Sequence, residues 1–460
     1  MRVEVDADVE TPISAFLKLR QGHTHAFLLE SVEGGERTGR WTFLGAGPRD
    51  RFEWNLSDGG DPLDWVAKKL AAHRAVDVEG VPRFAGGLVG FLAYDAVKVF
   101  EPRVPISRPD ALGFPSALWM DFHTVLAFDN LRHTLHVIAQ VLCNEGDDPR
   151  ALHADALRRI SAVLKVLRRP LSDPRPRAGP AVKLVARTSR KAFEAAVEKA
   201  RDFIRAGDCQ QIVLSQRFEA QTGLPPFELY RALRRVNPSP YLFFVQAGRH
   251  ALIGSSPETL VRLEGREITL RPIAGTRKRG KTAEQDAALE AELRADPKEN
   301  AEHVMLVDLG RNDVGRVAQI GSVKVEVFKA VERYSHVMHL ASQVRGTLAP
   351  GRDALDVLRA TFPAGTVTGA PKIRAMQIID ALESARRGPY AGCVGYFDRH
   401  GNMEMCIAIR TLLQHGKRLS VQAGAGIVFD SVPSAEFEET LNKARALFSA
   451  LAQAQAGPRR

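Results

Sequence analysis

Apolar positions along the chain recur with two spacings. They alternate with polar ones over residues 211–218 and fall in short runs at residues 25–31 and 124–128, and these patterns predict strands. Over residues 61–75, 150–168 and 190–206 they recur every three or four positions. That spacing predicts helices, the last opened by the capping hydroxyls of Thr188 and Ser189. Two more helices are predicted by PKENAEHVMLVDL, where Pro297 suits a first helical position, and by VPSAEFEETLNKARALF, with Ser434 as N-cap. Strands and long helices interleave to the C-terminus, an α+β pattern without internal repeats.

The sharpest break in this pattern is RRPLSDPRPRAGP at residues 168–180, where prolines remove backbone donors and charge disfavours burial. It reads as a connector between an N-terminal region, residues 1–175, and a larger region, residues 181–460. With 460 residues, 45% of them hydrophobic, the chain can bury a sizeable core. No apolar run approaches the roughly 18 residues of a membrane span, and MRVEVDADVE lacks the basic start of a signal peptide. The expected location is the cytoplasm, without membrane contact. Cys143, Cys209, Cys393 and Cys406 are far apart and form no CxxC pair, so free thiols are expected rather than zinc or disulfides. The net charge of +10 is spread over scattered residues, which reads as a basic surface and not as a nucleic-acid interface. Neither GxxxxGK[ST] nor a GxGxxG between strand and helix is present, so a phosphate cradle is not expected.

Candidate chemistry lies in carboxylates and glycines. Glu299 and Glu302, and again Glu436 and Glu439, stand three apart on predicted helices, so each pair shares a face, with Lys443 one turn beyond Glu439. Four carboxylates without histidine or cysteine at ligand spacing suit a hard ion such as Mg²⁺. PIAGTR at 272–277, AGTVTGAPK at 364–372 and QAGAGIV at 422–428 are expected to be glycine loops, whose amides can approach a ligand closely. Arg410, in CIAIRT, can bind a carboxylate through two nitrogens.

In order and spacing, PIAGTR, ENAEHVMLVDLGRNDVGRV, VERYSHVMHLASQVRG, FPAGTVTGAPKIRAMQIID, GCVGYFDRHGNMEMCIAIRT and AGAGIVFDSVPSAEFEETLNKA resemble the chorismate-utilising enzymes, most closely anthranilate synthase component I, over residues 185–450. The resemblance implies two large antiparallel sheets flanked by helices, with chorismate bound between them. It implies conversion of chorismate and ammonia to anthranilate and pyruvate with Mg²⁺, the first step of tryptophan biosynthesis. Glu302 and Glu439 correspond to Mg²⁺ ligands, with Glu299 and Glu436 beside them. Gly275, Thr276, Tyr390, Arg410, Gly424, Ala425, Gly426 and Lys443 correspond to positions that line the chorismate site. Glu258 and His336 fall on acid/base positions, with Thr276 beside them in the catalytic group, whereas His339 has no such support.

Sister enzymes differ at a few positions. Aminodeoxychorismate synthases carry a nucleophilic Lys where this chain has Ala274, and isochorismate and salicylate synthases a water-activating Lys where it has Gln211. The alternative activity is that of aminodeoxychorismate synthase component I, in the folate pathway. LLES at 28–31 and NPSPYLFF at 237–244 resemble the segments of a tryptophan feedback pocket, so Ser31, Pro240, Tyr241 and Leu242 are expected to bind L-tryptophan, with the N-terminal region contributing to this regulatory site. No cysteine lies in the Gly-flanked turn of a glutaminase, so a separate glutaminase subunit, anthranilate synthase component II, is expected as partner. Phe429 and Gly310 depart from the usual pattern of the family.

Overall fold

Strands with apolar side chains on both faces need cover on both sides, and the chain supplies it by stacking two sheets and placing helices outside each. The computed structural model describes residues 1–31, 39–73, 75–76, 78–171, 182–333 and 337–457. Most of the connector and His336 lie outside the described residues.

Among those residues one sheet has twelve strands. It runs from Arg2–Asp6 through Thr134–Ala139, Thr124–Asp129, Trp41–Ala46, His25–Glu30, Tyr241–Ala247, His250–Ser256, Thr411–His415, Arg418–Ile427 and Gln211–Gln221 to Gly369–Ala370, with Val185–Ala186 beside Gln211–Gln221. The other has ten. It runs from Ile273–Lys278 through Val337–Thr347, Glu267–Leu270, Thr259–Glu264, Met403–Ile407, Cys393–Asp398, Gly87–Leu92 and Ala117–Phe122 to Asp50–Trp54, with Lys324–Arg333 beside Val337–Thr347. Every strand pairing in both sheets is antiparallel, so the α+β fold expected from the motifs is present.

The two regions on either side of the connector are interleaved in these sheets. Leu29 of the N-terminal region pairs with Phe243, and Phe91 with Val394. The core between the sheets is aromatic, with Phe27, Phe43 and Phe243 meeting Phe91, Phe122 and Tyr396. Burying each such ring contributes about 1.5–3 kcal/mol. The outer face of the larger sheet is covered by the helices Pro12–Leu19, Pro149–Leu167, Pro226–Val236 and Pro433–Ala456. The helices Asp64–Ala71, Pro297–Gly315 and Ala354–Thr361 cover the other.

Local signals were read with different success. Pro297 does occupy the first turn, behind Asp296, whose carboxylate caps Lys298 and Glu299. Ser189 caps its helix as expected. Ser434 does not: Pro433 takes the first position and Val432 precedes it, because a proline without an N–H fits that turn at no cost in hydrogen bonds. Two of the three glycine loops are strands, since IAGTR of the first lies in Ile273–Lys278 and QAGAGI in Arg418–Ile427.

Gly310 is buried in the middle of Pro297–Gly315, and a Cβ there would meet its nearest neighbour, Pro272, at an ordinary 3.5 Å. Gly310→Ala should therefore stabilise the protein by about 0.5–1 kcal/mol through reduced backbone freedom in the unfolded chain. A raised thermal midpoint checks this; a lowered one would show that the helix cannot accept the methyl group.

Candidate active site

The nominated residues come from well-separated stretches of chain, and the fold gathers most of them on one side of the sandwich. Glu258 is partly buried just before Thr259–Glu264, its carbonyl accepting from the Ile407 amide at 3.0 Å. Loss of water raises its carboxyl above the usual glutamate range. The Thr366 hydroxyl and the charges of Arg410 and Lys443 oppose that rise, and Glu302 adds to it. Arg410 has φ of 50°, a left-handed backbone that a long side chain adopts only where its surroundings hold it. Its charge also acts on Tyr390 and His339.

Glycine is required at 424 because the Leu214 carbonyl and the Tyr390 hydroxyl each lie 2.8 Å from where a Cβ would be, and at Gly426 the end of the Gln211 side chain fills that space. Ala425, between them, is buried against the helical side. Lys443 donates to the Gly424 carbonyl at 3.1 Å and lies 3.3 Å from Glu439. Gly275 has φ of 69° and breaks the register between Ala274 and Thr276, and a Cβ there would lie 3.2 Å from Glu299 Oε2.

The four paired carboxylates each have a partner. Gln211 donates to Glu302 at 3.1 Å, Arg277 to Glu299 at 3.1 Å and Ser431 to Glu436 at 2.7 Å, while Glu439 has Lys443. Burial raises the carboxyls of Glu299 and Glu436, and their helix neighbours Glu302 and Glu439 add to the effect. Among the described residues no three acidic, histidine or cysteine side chains are grouped closely enough to hold an ion by themselves. The donor set still fits a hard cation. Mg²⁺ is commonly held by one or two carboxylates plus ligand and water oxygens, and the carbonyl oxygen of Gln211 is buried beside Glu302 without a partner among the described residues.

The chorismate binding enzyme family matches residues 24–449. The chain belongs to that family. It is 46% identical to anthranilate synthase component 1 of Cereibacter sphaeroides, covering 96% of this chain and 92% of that protein. It is 47% identical to the protein of the same name from Thermus thermophilus, covering 98% and 97%. The crystal structure of anthranilate synthase component I from Streptococcus pneumoniae superposes with a TM-score of 0.80 at 38% identity, over 96% of this chain and 99% of that one. The menaquinone-specific isochorismate synthase from Escherichia coli shares the fold at 21% identity, with a TM-score of 0.73 over 98% and 94%.

In this chorismate-binding enzyme His339, which no sequence motif singled out, lies at the site. It pairs across strands with Thr276, and its Nδ1 is 3.0 Å from both the Thr276 hydroxyl and the Gly275 carbonyl. Burial lowers its pKa, favouring the neutral ring. The bond from Gln211 to Glu302, which ties the larger sheet to Pro297–Gly315, has no sequence signal because 91 positions separate the two.

A second cleft lies between the sheets and is lined by all four residues of the expected regulatory set, Ser31, Pro240, Tyr241 and Leu242. Its apolar walls include Leu29, Trp41, Phe43 and Phe243. Of its charged groups, Glu404 accepts from Arg83 at 3.0 Å, Tyr396 at 3.0 Å and Tyr241 at 3.3 Å, while Glu30 is bonded outside the cleft to Arg234 at 2.9 Å.

Proposed function

We propose that this enzyme converts chorismate and ammonia to anthranilate and pyruvate, as the synthase subunit of a cytoplasmic glutamine-dependent anthranilate synthase. The observation that carries the reading is the meeting of a carboxyl raised by burial, Glu258, with the charges of Arg410 and Lys443. Chorismate bears two carboxylates, one on the ring and one on the enolpyruvyl ether. Arg410 and the amides of residues 424–426 receive the enolpyruvyl carboxylate. Glu302 and Glu439 would hold Mg²⁺, whose charge would draw electron density through the ring carboxylate.

Ammonia forms the bond to C2 as the C4 hydroxyl departs, and Glu258 gives that oxygen a proton so that it leaves as water. Removal of the C2 proton then aromatises the ring as the C3–O bond breaks, and the enolpyruvate released takes a proton at its methylene carbon to become pyruvate. His336 is assigned removal of the C2 proton, and Thr276, bonded to His339, orients the ring. Ala274 has no nucleophile with which to form a covalent adduct, which supports direct attack by ammonia.

L-tryptophan is the ligand assigned to the second cleft. Its aromatic walls accept an indole face, and Ser31 with nearby backbone groups meets the zwitterion. A glutaminase partner supplies ammonia. The purified chain should therefore turn over chorismate with ammonium but not with glutamine, until a glutaminase subunit is added. Glutamine-dependent turnover by the chain alone would contradict the partner assignment.

A further inference from the structure

The second cleft and Glu258 share a wall. Tyr241, which lines the cleft, lies 2.7 Å from the Thr259 hydroxyl, and Thr259 is the next residue after Glu258. The pairing joins a strand of one sheet to a strand of the other. The Glu258 carbonyl, in turn, is held by Ile407, whose neighbour Cys406 lines the cleft and pairs with Thr259. The register of Thr259–Glu264 against Met403–Ile407 is broken between Thr259 and Val261. A bulge of this kind re-aims the side chains beside it and interrupts the ladder, so Thr259 is set apart from the regular pairing of the rest of its strand.

We infer that the Thr259 hydroxyl is the positioning contact through which a ligand in the second cleft reaches Glu258. The inference rests on tryptophan being that ligand. The Tyr241 hydroxyl has one proton and two acceptors in reach, Thr259 at 2.7 Å and Glu404 at 3.3 Å. A zwitterion that draws on Glu404, or a ring that displaces Tyr241, changes which acceptor the proton serves and what Thr259 must do in response. Glu258, next in the chain, moves with it. Tryptophan then favours a state in which Glu258 is misplaced, and by linkage chorismate disfavours tryptophan to the same degree.

Titration calorimetry on the full chain, with chorismate present and ammonia absent, measures this coupling in Thr259→Val, which keeps the shape and removes the hydroxyl, and in Thr259→Ser, which restores it. In the wild type, saturating chorismate should weaken tryptophan binding by about tenfold, a typical coupling. Thr259→Ser should keep most of that factor. Thr259→Val should bind tryptophan within about twofold of the wild type while the factor falls to about two or less. Tyr241→Phe removes the same bond from the cleft side and should also lose the coupling, whatever it does to affinity. Wild-type coupling in Thr259→Val, or loss in Thr259→Ser as large as in Thr259→Val, would overturn the role of the hydroxyl. A wild-type protein that binds no tryptophan would instead overturn the reading of the cleft, and that result needs no variant to be seen.

Discussion

Glu258→Gln should lower kcat with ammonium by about 10²–10⁴-fold while changing chorismate affinity little, since general-acid catalysis typically contributes that much. Gln keeps the size and can still donate a hydrogen bond, but it has no proton to give to the departing C4 oxygen. Burial raises the Glu258 carboxyl, so its neutral form persists to higher pH than that of an ordinary glutamate. The sign follows directly. At constant free ammonia the wild-type rate should fall as pH rises through the raised pKa, and the Gln variant should lack that alkaline limb. Steady-state rates across pH check both statements. Wild-type kcat in the variant would remove Glu258 from the chemistry, and an unchanged alkaline limb would assign that limb to another group.

Glu302→Gln and Glu439→Gln should each reduce Mg²⁺-dependent turnover at least about 100-fold and weaken Mg²⁺ binding in the presence of chorismate, because each removes one anionic oxygen from a site that has few. The two substitutions differ in their surroundings. Gln at 302 would face the Gln211 amide that now donates to Glu302, so its own amide must turn, whereas Gln at 439 leaves Lys443 to the Gly424 carbonyl. Calorimetric titration of Mg²⁺ into the chorismate complex gives a readout independent of activity. Wild-type affinity and wild-type rates at saturating Mg²⁺ in both variants would refute the assignment.

What the sequence made legible was what depends on local pattern. Carboxylates three apart on a helix share a face wherever the helix lies, and both acidic pairs are on helices as their spacing required. Glycine patterns pointed to the right places but to the wrong conformation. The need for glycine at 424 comes from the Leu214 carbonyl and Tyr390, which press on a strand from positions that no local pattern connects to it. His339 could not be chosen over its neighbours because its selection depends on pairing with Thr276, 63 positions away. The connector looked like a boundary because it is rich in proline and charge, yet strands from both sides of it pair within each sheet, and pairing register is not written in composition. The segments of the expected tryptophan pocket were legible as motifs, and that they would line one cleft with Glu404 and Arg83 was not.

The central claim is the identity of the product. The full chain, incubated with chorismate, ammonium and Mg²⁺ and followed by chromatography with fluorescence and pyruvate detection, should yield anthranilate and pyruvate in equal amounts. A non-aromatic aminodeoxychorismate without pyruvate, or isochorismate formed by addition of water, would contradict the account.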